Sequence, residues 1–211
     1  MKLAITGKGG TGKTTFAAVL SRRFAESGYS VIAFDADPDA NLASTLGFPD
    51  AENIVPLVEM KELITERMGA VPGQTGQYFR LNPRVDDIPE KYSLSHNGIR
   101  LLVMGTVTKG GGGCACPENT FLRELLTHLF TAEKDIVIMD MVAGVEHLGR
   151  GTATAMDMLL VVVEPNQRSI ETAIRIKKLA SDIGISDIRV VANKIRNDEE
   201  RAFIEKKHRP A

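Results

Sequence analysis

Short apolar runs alternate with longer stretches in which apolar residues recur every three or four positions. Residues 3–6, 31–34, 101–104, 136–139, 159–163 and 188–192 are the short runs, four or five residues each and dominated by Val, Ile and Leu. Runs of that length and composition predict strands buried on both faces. The periodic stretches predict amphipathic helices. Residues 13–27 place Phe16, Ala17, Leu20 and Phe24 on one face, with Gly28 as the stop. Residues 53–68 (Ile54, Leu57, Val58, Leu63, Ile64), 118–130 (Phe121, Leu125, Leu126, Leu129) and 169–183 follow the same spacing, and 198–207 reads as a charged helix. Residues 69–97 are polar and rich in Pro and Gly, and read as an irregular surface segment. Strands separated by helices define an α/β chain with one doubly wound, mostly parallel sheet covered on both faces. No fixed-period repeat and no domain boundary interrupts it, so residues 1–211 are expected to form a single domain.

Composition narrows the function classes. The chain has 211 residues, 43% of them hydrophobic and 25% charged. A chain of this size buries about 70% of its unfolded surface and needs no disulfide or metal merely to fold. Its 26 Lys and Arg against 27 Asp and Glu leave a net charge of −1. That balance lacks the basic excess of a dedicated nucleic-acid binder. No apolar run approaches the roughly 20 residues that cross a bilayer, and the start of the chain lacks a signal-peptide core. A cytoplasmic protein with no membrane and no nucleic-acid partner is expected. Two cysteines are too few for a disulfide framework.

Ligands of doubly wound sheets sit outside the C-terminal strand ends, and the unusual residues of this chain follow its strands. Gly7-Lys8-Gly9-Gly10-Thr11-Gly12-Lys13-Thr14-Thr15 lies between the first strand and the first helix. It fits G-x-x-x-x-G-K-[ST], the phosphate loop. Its glycines let backbone N–H groups turn inward around phosphate oxygens, and the helix N-terminus adds partial positive charge. Lys13 is placed to reach the β- and γ-phosphates, and Thr14 to ligate Mg²⁺. Asp35-Ala36-Asp37-Pro38-Asp39 follows the second strand. Three carboxylates so close repel unless a cation or water lies between them. Asp35 is expected to order Mg²⁺ or its waters, and Asp39 to cap the next helix. Asp140 ends another apolar run and is a second Mg²⁺ candidate. Glu164-Pro165-Asn166 ends one of the last two strands and is expected to line the nucleotide site, and Asn193-Lys194, after the other, reads by itself as a turn.

Lys8, early in the loop, is not needed by a simple phosphate loop. With it, the stretch resembles the deviant Walker A family of MinD/ParA-like ATPases and the nitrogenase iron protein, whose signature is K-G-G-x-G-K-[ST]. The resemblance implies an ATP- and Mg²⁺-dependent homodimer that sandwiches two nucleotides. Lys8 would cross to the partner's phosphates, supplying a cation in trans. It implies that Asp37 positions the attacking water and that Asp140-Met141-Val142-Ala143-Gly144 is the D-x-x-A-G segment. The Gly144 N–H would then reach the γ-phosphate, and Asn193 would read the adenine edge.

Four glycines precede Cys114-Ala115-Cys116-Pro117-Glu118. Pro117 suits the first turn of a helix, which puts the cysteines where thiolates are favoured. Taken alone, the pair could be inert, a redox pair or half a metal site. Two thiolates do not complete a tetrahedral Cys₄ site, but a two-fold dimer would supply four, for zinc or for square-planar nickel. The chain is similar to the CooC-type accessory ATPases of nickel carbon monoxide dehydrogenase. The similarity rests on the phosphate loop, Asp35-Ala36-Asp37-Pro38-Asp39, Pro56-Leu57-Val58-Glu59-Met60-Lys61, Lys109-Gly110-Gly111 with the cysteines and Glu118-Asn119. It continues through Asp140-Met141, Ala143-Gly144-Val145-Glu146-His147-Leu148, Arg150-Gly151-Thr152-Ala153, Glu164-Pro165-Asn166 and Asn193-Lys194. It implies a dimer that handles Ni²⁺ or Zn²⁺ through Cys114 and Cys116, with carbon monoxide dehydrogenase or a similar nickel enzyme as client. The alternative within the superfamily is a ParA/MinD-like positioning switch. Val142 stands where a small residue is expected. The resemblance also implies a further strand, a Pro-containing loop and a helix beyond Ala211, so the sheet is expected without them. His147 reads as a structural histidine, and Met139, Met141, Met156 and Met158 as packing residues.

Overall fold

The computed structural model describes residues 1–37, 39–72, 74, 76–105, 117–131, 135–145, 153 and 155–208. Among them the apolar runs form β1 (Lys2–Thr6), β2 (Val31–Ala36), β4 (Ile99–Val103), β5 (Ile136–Met141), β6 (Met158–Val163) and β7 (Ile188–Ala192), with a short β3 (Leu94–His96). The helices are α1 (Lys13–Glu26), α2 (Leu42–Leu46), α3 (Lys61–Met68), α4 (Ile88–Tyr92), α5 (Pro117–Thr131), α6 (Gln167–Asp182) and α7 (Asp198–His208).

One seven-stranded sheet runs in the order β3-β4-β2-β5-β1-β6-β7. All pairs are parallel except the edge pair β3 and β4. This is the doubly wound α/β sheet expected from the pattern of strands and helices. Alternate residues of each strand face opposite sides. Ala4, Ile32, Phe34, Leu102, Val137, Met139, Leu159 and Val161 pack with α3, α5 and α6 on one face. Leu3, Ile5, Val31, Ala33, Leu101, Ile138, Leu160 and Val162 pack with α1 and α2 on the other. Met139 and Met141 are buried in the core, and Met156 and Met158 are half-buried against it, the packing roles expected of them. Each fully buried Leu, Ile or Phe contributes about 1.5–3 kcal/mol. β7 is the half-covered edge of the sheet, with no fully buried side chain.

Two expectations are corrected. Residues 53–68 do not form one helix. Pro56 is extended (φ −63°, ψ 149°) between two 3₁₀ turns, Ala51–Asn53 and Leu57–Glu59, and the helix begins only at Lys61. Proline has no N–H for the ladder and forces the break. Residues 69–97 are not wholly irregular. They contain α4 and β3, and Arg67 pins α4 to α3 by a 2.8 Å ion pair with Asp87. Pro117 opens α5 as expected. Cys114, Cys116 and His147 lie outside the described residues.

Candidate functional site

β1 lies inside the sheet between β5 and β6, and its connection to β2 leaves on one side of it while β6 lies on the other. The crevice so formed opens at the C-terminal strand ends, and the phosphate loop fills it. Gly7 adopts φ 147°, and a Cβ there would lie 2.3 Å from the Val162 carbonyl oxygen. Gly12 adopts φ 94° at the N-cap of α1, where a Cβ would meet the Asn193 amide at 2.4 Å. Only glycine fits either place. No side chain caps α1, and no acidic residue stands in its first turn. By contrast Asn166 caps α6, accepting the Ser169 N–H at 2.8 Å. An uncapped N-terminus below a glycine-rich turn is suited to an anion. The Lys8 carbonyl accepts the Thr11 hydroxyl at 2.8 Å, which shapes the loop. Lys13 and Thr11 are buried, Lys8, Gly12 and Thr14 half-buried, and Gly9, Gly10 and Thr15 exposed.

Two buried carboxylates face this loop. Asp35 and Asp140 are register partners at the ends of β2 and β5 and are both inaccessible to solvent. Asp35 accepts the Asp37 N–H at 3.1 Å and the Leu42 N–H at 2.9 Å. Burial pushes it up to about 7 against those two hydrogen bonds, with the Asp140 and Asp37 charges adding to the rise. Neither oxygen of Asp140 has a hydrogen-bond partner of ordinary geometry. Burial pushes Asp140 up to about 6, while the Thr14 hydroxyl and the Lys13 ammonium favour its charged form. An orphaned buried carboxylate beside a hydroxyl and a lysine fits a bound divalent cation, because burial without a partner is otherwise costly. A Mg²⁺ held largely through phosphate oxygens and waters needs few protein ligands. Among the described residues no group of three or more His, Cys, Asp or Glu could hold a metal by itself.

Asp37 is half-buried, and its carboxylate accepts the Asp39 N–H at 3.1 Å. Asp39 does not cap α2. The N-cap position is Asn41, without a side-chain bond, and the first N–H of the helix goes to Asp35 instead. Gly144 adopts φ 132°, and its N–H donates to the Thr6 hydroxyl at 3.2 Å. Asn193 donates to the Thr11 carbonyl at 2.8 Å, and Lys194 donates to the Gly10 carbonyl and pairs with Glu164 at 3.0 Å. The Lys194 ammonium, and after it the Asn166 amide, hold Glu164 below the usual carboxylate range. The structure therefore gathers Lys8, Gly9, Gly10, Thr11, Gly12, Lys13 and Thr14 with Asp35, Asp140, Glu164, Asn193 and Lys194 around one crevice. Sequence reasoning missed Thr6 and the bond from Leu42 to Asp35. Only the adjacency of Thr6 to Gly7 could have drawn attention to it.

A glycine-rich loop between the central strand and an uncapped helix, with strand-end carboxylates facing it, defines a P-loop nucleoside triphosphatase. The comparisons agree. The model of the CobQ/CobB/MinD/ParA nucleotide binding domain matches residues 2–209, and the chain belongs to that family of nucleotide-binding ATPases. It is 50% identical, over 97% of its length and 78% of the relative's, to the carbon monoxide dehydrogenase accessory protein CooC of Rhodospirillum rubrum. It is 49% identical to an uncharacterised ATP-binding protein of Methanocaldococcus jannaschii, over 94% of this chain and 77% of the other. The CooC likeness accords with the accessory-ATPase resemblance read from the motifs. Among solved structures the fold matches the MinD cell division protein of Aquifex aeolicus (TM-score 0.63, 21% identity, 97% of this chain and 74% of that one). It also matches cobyrinic acid a,c-diamide synthase of Mycobacterium smegmatis with bound ADP and magnesium (TM-score 0.61, 20% identity, 98% and 80%).

Proposed function

We propose that this chain is a Mg²⁺-dependent cytoplasmic ATPase that dimerises on ATP and handles nickel for the maturation of carbon monoxide dehydrogenase or a similar nickel enzyme. The observation that carries the reading is the 50% identity to a carbon monoxide dehydrogenase accessory protein, in a chain that holds Cys114-Ala115-Cys116.

In this reading the loop N–H groups and Lys13 bind the β- and γ-phosphates. Thr14, Asp35 and Asp140 hold Mg²⁺, which supplies charge neutralisation at the phosphate oxygens. Asp37 orients a water for in-line attack on the γ-phosphorus, and the bond to the ADP oxygen breaks. Lys8 meets the charge that develops on the partner's nucleotide, so hydrolysis waits for the dimer. The Gly144 N–H bonds a γ-phosphate oxygen. Glu164, Asn193 and Lys194 brace the loop and border the base, Asn193 toward the adenine edge. Closure brings Cys114 and Cys116 of both subunits together as a four-thiolate site for Ni²⁺ or Zn²⁺, the cargo, and hydrolysis loosens it.

Two variants separate the halves of the proposal. Lys13→Ala is expected to lose nucleotide binding by at least about a hundredfold, since a buried charge-assisted contact to phosphate is removed. Cys114→Ser with Cys116→Ser is expected to keep Mg-ATP binding and to lose ATP-responsive nickel binding. Unchanged nickel binding in the double variant contradicts the cargo site, and tight ATP binding by Lys13→Ala contradicts the loop assignment.

A further inference from the structure

Thr6 is the last residue of β1 and is wholly buried. Its hydroxyl lies 2.9 Å from the Val142 carbonyl and 3.0 Å from the Gly144 carbonyl, and it accepts the Gly144 N–H at 3.2 Å. One side chain thus ties the strand that enters the phosphate loop to the 142–144 turn, which follows β5. A hydroxyl has one hydrogen to donate. It faces two carbonyls here and donates to one of them at any moment. The bond it accepts from Gly144 is at the long end of the ordinary range.

We infer that the Thr6 hydroxyl is a latch that holds the Gly144 N–H in the absence of a triphosphate and surrenders it when a γ-phosphate arrives. The inference rests on the reading above, in which the Gly144 N–H meets the γ-phosphate. The N–H has one hydrogen, so the two bonds exclude each other. A charged phosphate oxygen is a stronger acceptor than a neutral hydroxyl, so the exchange favours the triphosphate state. ADP offers no γ-oxygen and leaves the latch closed. Gly144 sits at φ 132°, backbone that residues with a Cβ rarely adopt. Once freed, the Thr6 hydroxyl still has the Val142 carbonyl to donate to, so its own release strands no buried group. Thr6 is therefore a positioning residue. It makes the 142–144 turn respond to the third phosphate and not to nucleotide in general.

The test compares ADP with a non-hydrolysable ATP analogue on the full chain, by calorimetry and by amide nuclear magnetic resonance. Thr6→Val keeps the shape and deletes the hydroxyl. The ADP-bound state then leaves the Gly144 N–H unpaired, while the triphosphate state still satisfies it. The preference for the analogue over ADP is expected to rise about three- to tenfold, and Thr6→Ser to restore the wild-type ratio. In wild type the Gly144 amide resonance is expected to move with the analogue and to stay in place with ADP, a measurement that needs no variant. A wild-type response to the analogue alone, with an unchanged ratio in Thr6→Val, overturns the latch and leaves the γ-phosphate reading standing. An identical Gly144 response to both nucleotides overturns that reading and the latch together.

Discussion

Asp35 and Asp140 are carboxyl groups that folding has placed where water cannot reach them. Both are pushed upward, to about 7 and about 6, with burial the largest cause. The unfolded chain would ionise them near 3.9. The folded state therefore holds their protons more tightly, and their contribution to stability is full below about pH 4 and is lost as pH rises toward 7. Asp87 works in the opposite direction. The Arg67 guanidinium and then Lys91 hold it well below the usual carboxylate range, so its contribution is present above about pH 4 and is lost in acid. Denaturant melts in a chelator, without nucleotide, are expected to show stability falling by on the order of 4 kcal/mol between pH 5 and pH 8. Mg²⁺ with ADP should recover that loss at pH 8. Stability that rises over this range in the chelator contradicts the reading of these two side chains as cation ligands.

At the scale of elements, the loop is held from outside by the ends of β6 and β7. Lys194 draws the Gly10 carbonyl outward, and Glu164 keeps the lysine in place. With its carbonyls turned out, the loop can present N–H groups inward. Lys194→Ala is expected to weaken ADP and ATP equally, by about three- to tenfold, a modest effect because the pair is partly exposed. Equilibrium binding checks it, and unchanged affinities contradict the brace. The strands that make this frame were legible because each is a short Val-rich run, although β7 proves only half-covered, and the loop because its glycine and lysine spacing has one structural use. What escaped depended on partners distant in sequence. The 53–68 periodicity suggested one helix, yet Pro56 stops the ladder and Leu57 packs into the core as a 3₁₀ turn. β3 and α4 draw their support from β4 and from Arg67, which local pattern does not reveal. Thr6 reaches across 138 residues to Gly144, a contact that only the parallel pairing of β1 with β5 creates.

For the whole molecule, the sheet order brings the phosphate loop and the strand-end carboxylates to one rim, while two features point beyond a single chain. Lys8 is not needed by a simple phosphate loop, and in the proposed function Cys114 with Cys116 would supply half of a four-thiolate site. In the proposed function a second copy of this chain completes both; among the described residues no helix is long and apolar enough to cross a membrane. Dimerisation on ATP and the shared thiolate site therefore stand or fall on one stoichiometry. The direct measurement is metal bound per chain, with mass from light scattering, after anaerobic nickel titration in ADP and in a non-hydrolysable ATP analogue. With the analogue we expect a dimer that holds about one metal per two chains and loses it in Cys114→Ser. A monomer in the analogue, or metal that binds with the same stoichiometry in Cys114→Ser, would contradict a cargo site built from two subunits.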